Sequence, residues 1–367
     1  MLLTYRTVGK NIPQLHTLAI QPSAHHAPIH SEEYPPMHTE QLYALHPATE
    51  ADMDDLVELI RAADHEAIGQ SNFDRSEIEY IYHSPRFDPA RDICIARDSL
   101  SGQAVGYGLV FATRAVPVRP WGWGWTRPDA RGKGIGSAIV QWMIDRARQC
   151  EAQVPPQARV VLEVGTPDRL TDSIQLLENL GFTTDRSAYA MLIDLDSEPE
   201  VPALPDGLRF ITFAEKPDVE LFARARKQGF ADHRGAVDEP IEAVIERVKH
   251  EVEDSHFVPE LWLMAMDGEQ PAGIAYNATK NDEYADTGWV DSLAVMPAYR
   301  KQGLGYTLLK KSFAEFYARG FRKVGLGVDG SSLTGAVRLY ERAGMHIARR
   351  TRIYELEIRP GVELSKQ

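Results

Sequence analysis

The chain has 367 residues, enough for two or three domains, and 43% of them are hydrophobic, enough for ordinary buried cores. A net charge of −13 and a pI near 5.4 argue against a nucleic-acid-binding surface, which is normally basic, and suit a cationic partner such as an amine. Cys94 and Cys150 have no metal-site spacing, no apolar run reaches the roughly 18 residues that span a bilayer, and the N-terminus has no basic-then-apolar leader; the expectation is a cytoplasmic protein without membrane or metal partners.

Residues 1–40 are rich in His, Pro and Ser and show no periodicity; His16, His25, His26, His30 and His38 lie there. Such a tract suits either metal binding or a loosely packed extension, and the extension is the reading taken. An acidic turn at Asp52, Asp54 and Asp55 then opens an amphipathic helix carrying Leu56, Leu59 and Ile60. Strands are expected at 92–96 and 104–111. Residues 197–207, with three prolines, read as a linker. Beyond it come a strand at 208–213, helices at 219–228 and 241–252, and strands at 261–266, 272–278 and 323–329.

The order of elements repeats. Arg131-Gly132-Lys133-Gly134-Ile135-Gly136 matches Arg300-Lys301-Gln302-Gly303-Leu304-Gly305, with Pro128 and Pro297 three residues ahead of each arginine. Leu176 to Phe182 matches Leu339 to Met345, so the first copy holds extra residues between its motifs, placed near Pro155-Pro156. Duplication of a whole domain explains both matches. The boundaries read as an extension (1–40), an N-terminal domain (41–197), a linker (198–206), a C-terminal domain (207–359) and a tail (360–367).

Each Arg-x-x-Gly-x-Gly leads from an extended segment into a helix. Glycines there permit positive φ and bring backbone N–H groups close to a ligand, and a helix N-terminus with such groups binds phosphate. Arg131, Lys133, Arg300 and Lys301 add positive charge. A tight strand-to-helix turn without a ligand would carry the same glycines. The spacing departs from the Gly-x-Gly-x-x-Gly of dinucleotide folds and from the Walker loop.

The run from Leu293 to Gly305, followed by a helix, a strand and Ala336 to Met345, resembles the signature of the GNAT N-acyltransferases, and the two-copy layout is similar to the tandem GNAT proteins of the mycothiol synthase type. The resemblance implies an α/β (α+β) fold: two tandem units, each a mixed, mostly antiparallel sheet flanked by helices, with a splayed strand pair holding acetyl-CoA. It implies that the glycine turns bind the pyrophosphate of coenzyme A and that the backbone of Leu293, Ala294 and Val295 pairs with its pantetheine arm. Tyr340 matches the family tyrosine that donates a proton to the leaving sulfur.

Asp291 lies on the strand before the second turn, where alternation sets Trp289, Asp291, Leu293 and Val295 on one face. It is a base, an amine-binding group or a structural carboxylate. The first copy has Leu177 at the Tyr340 position and Gly122 at the Asp291 position, within Trp121-Gly122-Trp123-Gly124-Trp125. It is therefore expected to be non-catalytic while keeping an intact turn. Asp232 and His233 lie where GNAT folds line the acceptor site, and with Trp289 they are the substrate-binding candidates.

The expected activity is acetyl transfer from acetyl-CoA to a small-molecule primary amine, with Tyr340 as acid. A peptide or protein acceptor and a non-catalytic coenzyme A-binding scaffold are the rivals. The two copies are expected to pair as an internal pseudo-dimer in a monomer or weak homodimer.

Overall fold

The computed structural model describes residues 42–330 and 335–366, so the histidine-rich extension lies outside the described residues. The first half runs β1 (Tyr43–Pro47), α1 (Met53–Ile68), α2 (Arg75–Tyr82), α3 (Pro89–Asp92), β2 (Ile93–Asp98), β3 (Ala104–Phe111), β4 (Trp121–Thr126), α4 (Ile135–Gln149), β5 (Val160–Pro167), α5 (Thr171–Asn179) and β6 (Thr183–Asp194). The second half runs β7 (Leu208–Thr212), α6 (Val219–Phe230), α7 (Ile241–Glu253), β8 (Trp262–Asp267), β9 (Gln270–Ala278), β10 (Gly288–Val295), α8 (Leu304–Ala318), β11 (Lys323–Asp329), α9 (Ala336–Arg342) and β12 (His346–Arg359).

Local signals account for the ends of α1. The Asp52 carboxylate accepts the Thr49 N–H at 2.8 Å, Asp54 and Asp55 sit in the first turn, and Gly69 closes the helix at φ 81°. The additional residues of the first copy fall where the sequence places them. Ten residues separate Gln149 from Val160, against four between Ala318 and Lys323.

All the strands join one sheet in the order β1-β2-β3-β4-β5-β12-β6-β11-β10-β9-β8-β7. The last strand of each half lies in the other half. β12 pairs antiparallel with β5, β6 pairs antiparallel with β11, and β12 and β6 pair with each other at the centre. The cores follow this exchange. Tyr354 of β12 is buried with Ile139, Met143 and Leu177 of the first half, and Met191 of β6 with Phe313 and Leu326 of the second. The exchange leaves no free strand edge at the junction, so the halves are joined by backbone hydrogen bonds as well as by packing.

Helices cover both faces. In the first half α1 and α2 bury Leu56, Ile60, Ile78 and Ile81 on one side and α4 buries Ile139, Met143 and Ile144 on the other. In the second half α6 and α7 place Phe222, Val244 and Val248 against β8 and β9, and α8 places Leu309, Phe313 and Phe316 on the opposite side.

Candidate active site

In each half a parallel strand pair is joined over only a short stretch. β4 meets β5 at Trp121↔Glu163 and Gly122↔Val164, and β10 meets β11 from Gly288↔Val324 to Val290↔Leu326. Beyond these residues the partners part, and the glycine turn stands at the far end of the leading strand. Gly134 at φ 82° and Gly303 at φ 85° are the N-caps of α4 and α8, and no side chain caps either helix. The leading N–H groups of each helix therefore have no side-chain acceptor at the positive end of the helix dipole; in α8 the Tyr306 N–H already turns back to the Gly303 carbonyl at 3.0 Å. Gly132 has φ 76°, and Lys301 takes up the same left-handed conformation at φ 63° in the second turn.

The motif arginines have a different task from the one the sequence suggests. Arg131 donates to both carboxylate oxygens of Glu66 at 2.9 and 2.6 Å and to the Thr126 carbonyl at 3.2 Å, and the Trp125 indole also donates to Glu66. Arg300 does the same in the second half, donating to both oxygens of Asp232 and to the Val295 carbonyl at 2.9 Å. Each arginine is held by a protein carboxylate and ties the turn to the first helix of its half or the loop after it. Their hydrogen bonds and charge hold Glu66 and Asp232 below the usual carboxylate range. What the turns leave open is therefore backbone N–H rather than the arginine side chains.

Asp232 is accordingly a clamp on the turn. His233 stacks edge-on against Phe230 at 4.7 Å, and burial lowers its pKa. Trp289 is buried, stacked on Tyr284 at 5.8 Å, and its ring covers Gly325. Alternation along β10 is broken by a bulge between Val290 and Ser292, which makes Asp291 the extra residue. Trp289 consequently joins a cluster with Ala190 and Tyr284, while Leu293 and Val295 pack with Leu308 of α8. The β3–β4 ladder runs without such a shift from Gly106↔Thr126 to Phe111↔Trp121. Asp291 therefore has no counterpart in β4, and Gly122 corresponds to Val290. Tyr340 is 7% exposed among Leu309, Phe313 and Leu326, and burial pushes its hydroxyl up to about 12.

A cleft of about 580 Å³ opens in the first half. It runs from Gly132, Gly134 and Gly136 past Trp123 and Trp125 on β4 and Val164 to Pro167 on β5. Its inner end holds Asp64 from α1, Glu283 from the loop before β10, and Arg349 from the exchanged strand β12. The Ser71 hydroxyl donates to Asp64 at 2.7 Å, and Arg349 donates to Glu283 at 2.5 Å. Burial, reinforced by the Glu283 charge, raises Asp64 to about 7, against the opposing effects of Ser71 and Arg349. Sequence reasoning passed over Asp64. The available signal was a carboxylate four residues after Ile60, on the apolar stripe of α1. Glu283 and Arg349 gave no such signal, because only the strand exchange brings them here.

A family model described as the acetyltransferase (GNAT) family matches residues 53–182 and 225–345. The chain belongs to the GNAT acetyltransferase family. It is an acyltransferase, built as a tandem GNAT protein. A mycothiol acetyltransferase of Catenulispora acidiphila is 26% identical over 220 residues, 59% of this chain and 66% of that relative. One from Thermobispora bispora is 28% identical over 229 residues, 59% of this chain and 69% of that relative. The chain thus aligns with about two thirds of these relatives' length. A GCN5-related N-acetyltransferase from Sphaerobacter thermophilus superposes with TM-score 0.73 and 29% identity over 89% of this chain and 99% of that one. A tandem GNAT protein from the clavulanic acid biosynthesis pathway shares the fold, with TM-score 0.63 and 15% identity over 87% of this chain and 100% of its own. Among the described residues no helix is long and apolar enough to cross a membrane.

Proposed function

We propose that this GNAT protein transfers the acetyl group of acetyl-CoA to a primary amine of a small molecule. The observation that carries the reading is the first-half cleft, which joins a glycine turn, a parted strand pair and a buried carboxylate in one cavity. The residues fit the co-substrate. The uncapped N–H groups from Gly132 to Gly136 suit a diphosphate. The backbone of β4 after Gly122, parted from β5, suits the amides of a pantetheine arm, which can act as a short extra strand. The second turn, Arg300 to Gly305, offers the same backbone, with Leu293 to Val295 leading into it. When bound, acetyl-CoA supplies the activated acyl group, and the protein's part is to orient the amine, exclude water and manage protons.

A second centre in the C-terminal half is favoured by the bulge that adds Asp291 to β10. There Tyr340 would act as acid toward the leaving sulfur, since a hydroxyl raised to about 12 keeps its proton at neutral pH. Asp291 would bind the amine or serve as base. The test is release of free thiol from acetyl-CoA across a panel of primary amines, with wild type and Tyr340→Phe. Amine-dependent release supports the reading. No release with any amine overturns it, and unchanged release in Tyr340→Phe removes the C-terminal centre.

A further inference from the structure

The two halves each keep part of what acetyl transfer requires. Glu66 and Asp232 both clamp the arginine of their own turn. Counting back two residues from each gives Asp64 in the first half and Phe230 in the second. The first half thus has a buried carboxylate where the second has an apolar ring, just as the second has Tyr340 where the first has Leu177.

The inner end of the first-half cleft is polar yet unsatisfied. Asp64 is 5% exposed and Thr166, on β5 beyond the residues paired with β4, is 4% exposed. Both line the cavity, and the Thr166 hydroxyl has no hydrogen-bond partner among the described residues. The buried Tyr107 hydroxyl on β3 also has none among them, and it lies close enough to Asp64 to feel its charge. Arg349 is engaged by Glu283, so among the described residues the Asp64 carboxylate is left without a cation of its own in an ion pair. A buried hydroxyl without a partner costs about 1–3 kcal/mol, so such groups in a cavity signal a ligand that completes them.

We propose that this end of the cleft is the first half's own acceptor site, which takes the ammonium group of a compact, singly charged primary amine and uses Asp64 as its general base. The proposal rests on the acetyl-transfer reading above. Trp121 and Trp123 wall the cavity and suit a flat apolar body behind the amine. The site needs both halves, because Asp64 comes from α1 and Glu283 and Arg349 from the C-terminal half.

An alkylammonium titrates near lysine, roughly 10.4, so it must lose a proton before its nitrogen can attack. Asp64 takes that proton. The amine nitrogen bonds to the acyl carbon as the carbon–sulfur bond breaks. The amide nitrogen's surplus proton goes to the sulfur, which leaves as the thiol, and Asp64 returns its own proton to solvent. No phenol is needed, which fits Leu177 at the Tyr340 position. The groups that face Asp64 are Ser71 of its own segment, Tyr107 of β3, Glu283 and Arg349. Burial, with the Glu283 charge, outweighs Ser71 and Arg349 and raises Asp64 to about 7, which suits a base working close to pH 7.

The test uses the full chain, with benzylamine as probe and benzyl alcohol as its uncharged control. Benzylamine is expected to raise the thermal midpoint of the wild type without acetyl-CoA, benzyl alcohol is not, and Asp64→Asn is expected to abolish the shift. In acetyl-transfer assays Asp64→Asn should lower kcat about a hundredfold and remove a pH limb near 7, the range typical of a lost general base. A folded Asp64→Asn variant that keeps both the shift and the pH limb overturns the proposal, even where the wild type is active. A wild type inactive toward all amines that still shows the Asp64-dependent shift overturns the transfer reading and leaves the site as an amine-binding pocket.

Discussion

Replacing Asp64 by Asn should make the protein more stable once pH stands well above the ordinary aspartate value, and not in acid. The carboxyl titrates at about 7 in the folded chain against an ordinary value of 3.8, chiefly because it is buried. In strong acid both states hold the proton and the group contributes nothing. As pH rises through the unfolded value, the unfolded chain ionises first and stability falls. The loss is complete once pH passes the folded value. The folded chain thus holds this proton about a thousandfold more tightly than the unfolded one, which corresponds to about 4 kcal/mol. An asparagine amide removes the titration but leaves an N–H short of a partner, which costs about 1–2 kcal/mol. The variant should therefore gain about 2–3 kcal/mol over wild type at about pH 8 and gain nothing at about pH 4. Urea unfolding of both proteins at the two pH values, each without ligand, reads this directly. A difference between them that stays constant with pH would refute the argument, because it would mean that Asp64 titrates alike in both states. The same substitution is expected to lose activity, which is the pattern of a site that trades stability for function.

Other consequences follow from the clamps and the parallel strand pairs. Glu66→Gln removes the charge that Arg131 and Trp125 grip, so the first turn should loosen and the dissociation constant for acetyl-CoA rise about tenfold, near 1.4 kcal/mol, by calorimetry. Gly325→Ala would put a Cβ 2.2 Å from the Trp289 ring and 2.7 Å from Leu192, so the centre of the sheet should lose about 1–3 kcal/mol in denaturant unfolding.

Much of the fold was legible in the sequence because its signals are local. The Asp52 to Asp55 cluster marks the start of α1, the short apolar run from Ala104 to Phe111 is β3, and both glycine turns open helices as their spacing requires. What could not be read depends on contacts remote in sequence. Nothing in Thr183 to Asp194 or His346 to Arg359 says which half each strand will enter, since both are good strands in either place. A bulge is one residue too many against a partner, so Asp291 could be recognised as such only once β9 lay beside it. Arg131 and Arg300 read as phosphate ligands because the motif is silent about Glu66 and Asp232, which lie 65 and 68 residues away. Asp64 was visible in principle. A carboxylate on an apolar stripe is either paired or functional, and the helical period alone puts it there.

The most direct test of the central claim is hydrogen–deuterium exchange of the full chain with and without acetyl-CoA. The amides of Gly132 to Ser137 should gain protection on binding, together with β4 beyond Gly122. If acetyl-CoA binds and protects only the Arg300 to Gly305 turn, the first-half cleft is not its seat, and the acyl-transfer account built on that cleft is wrong.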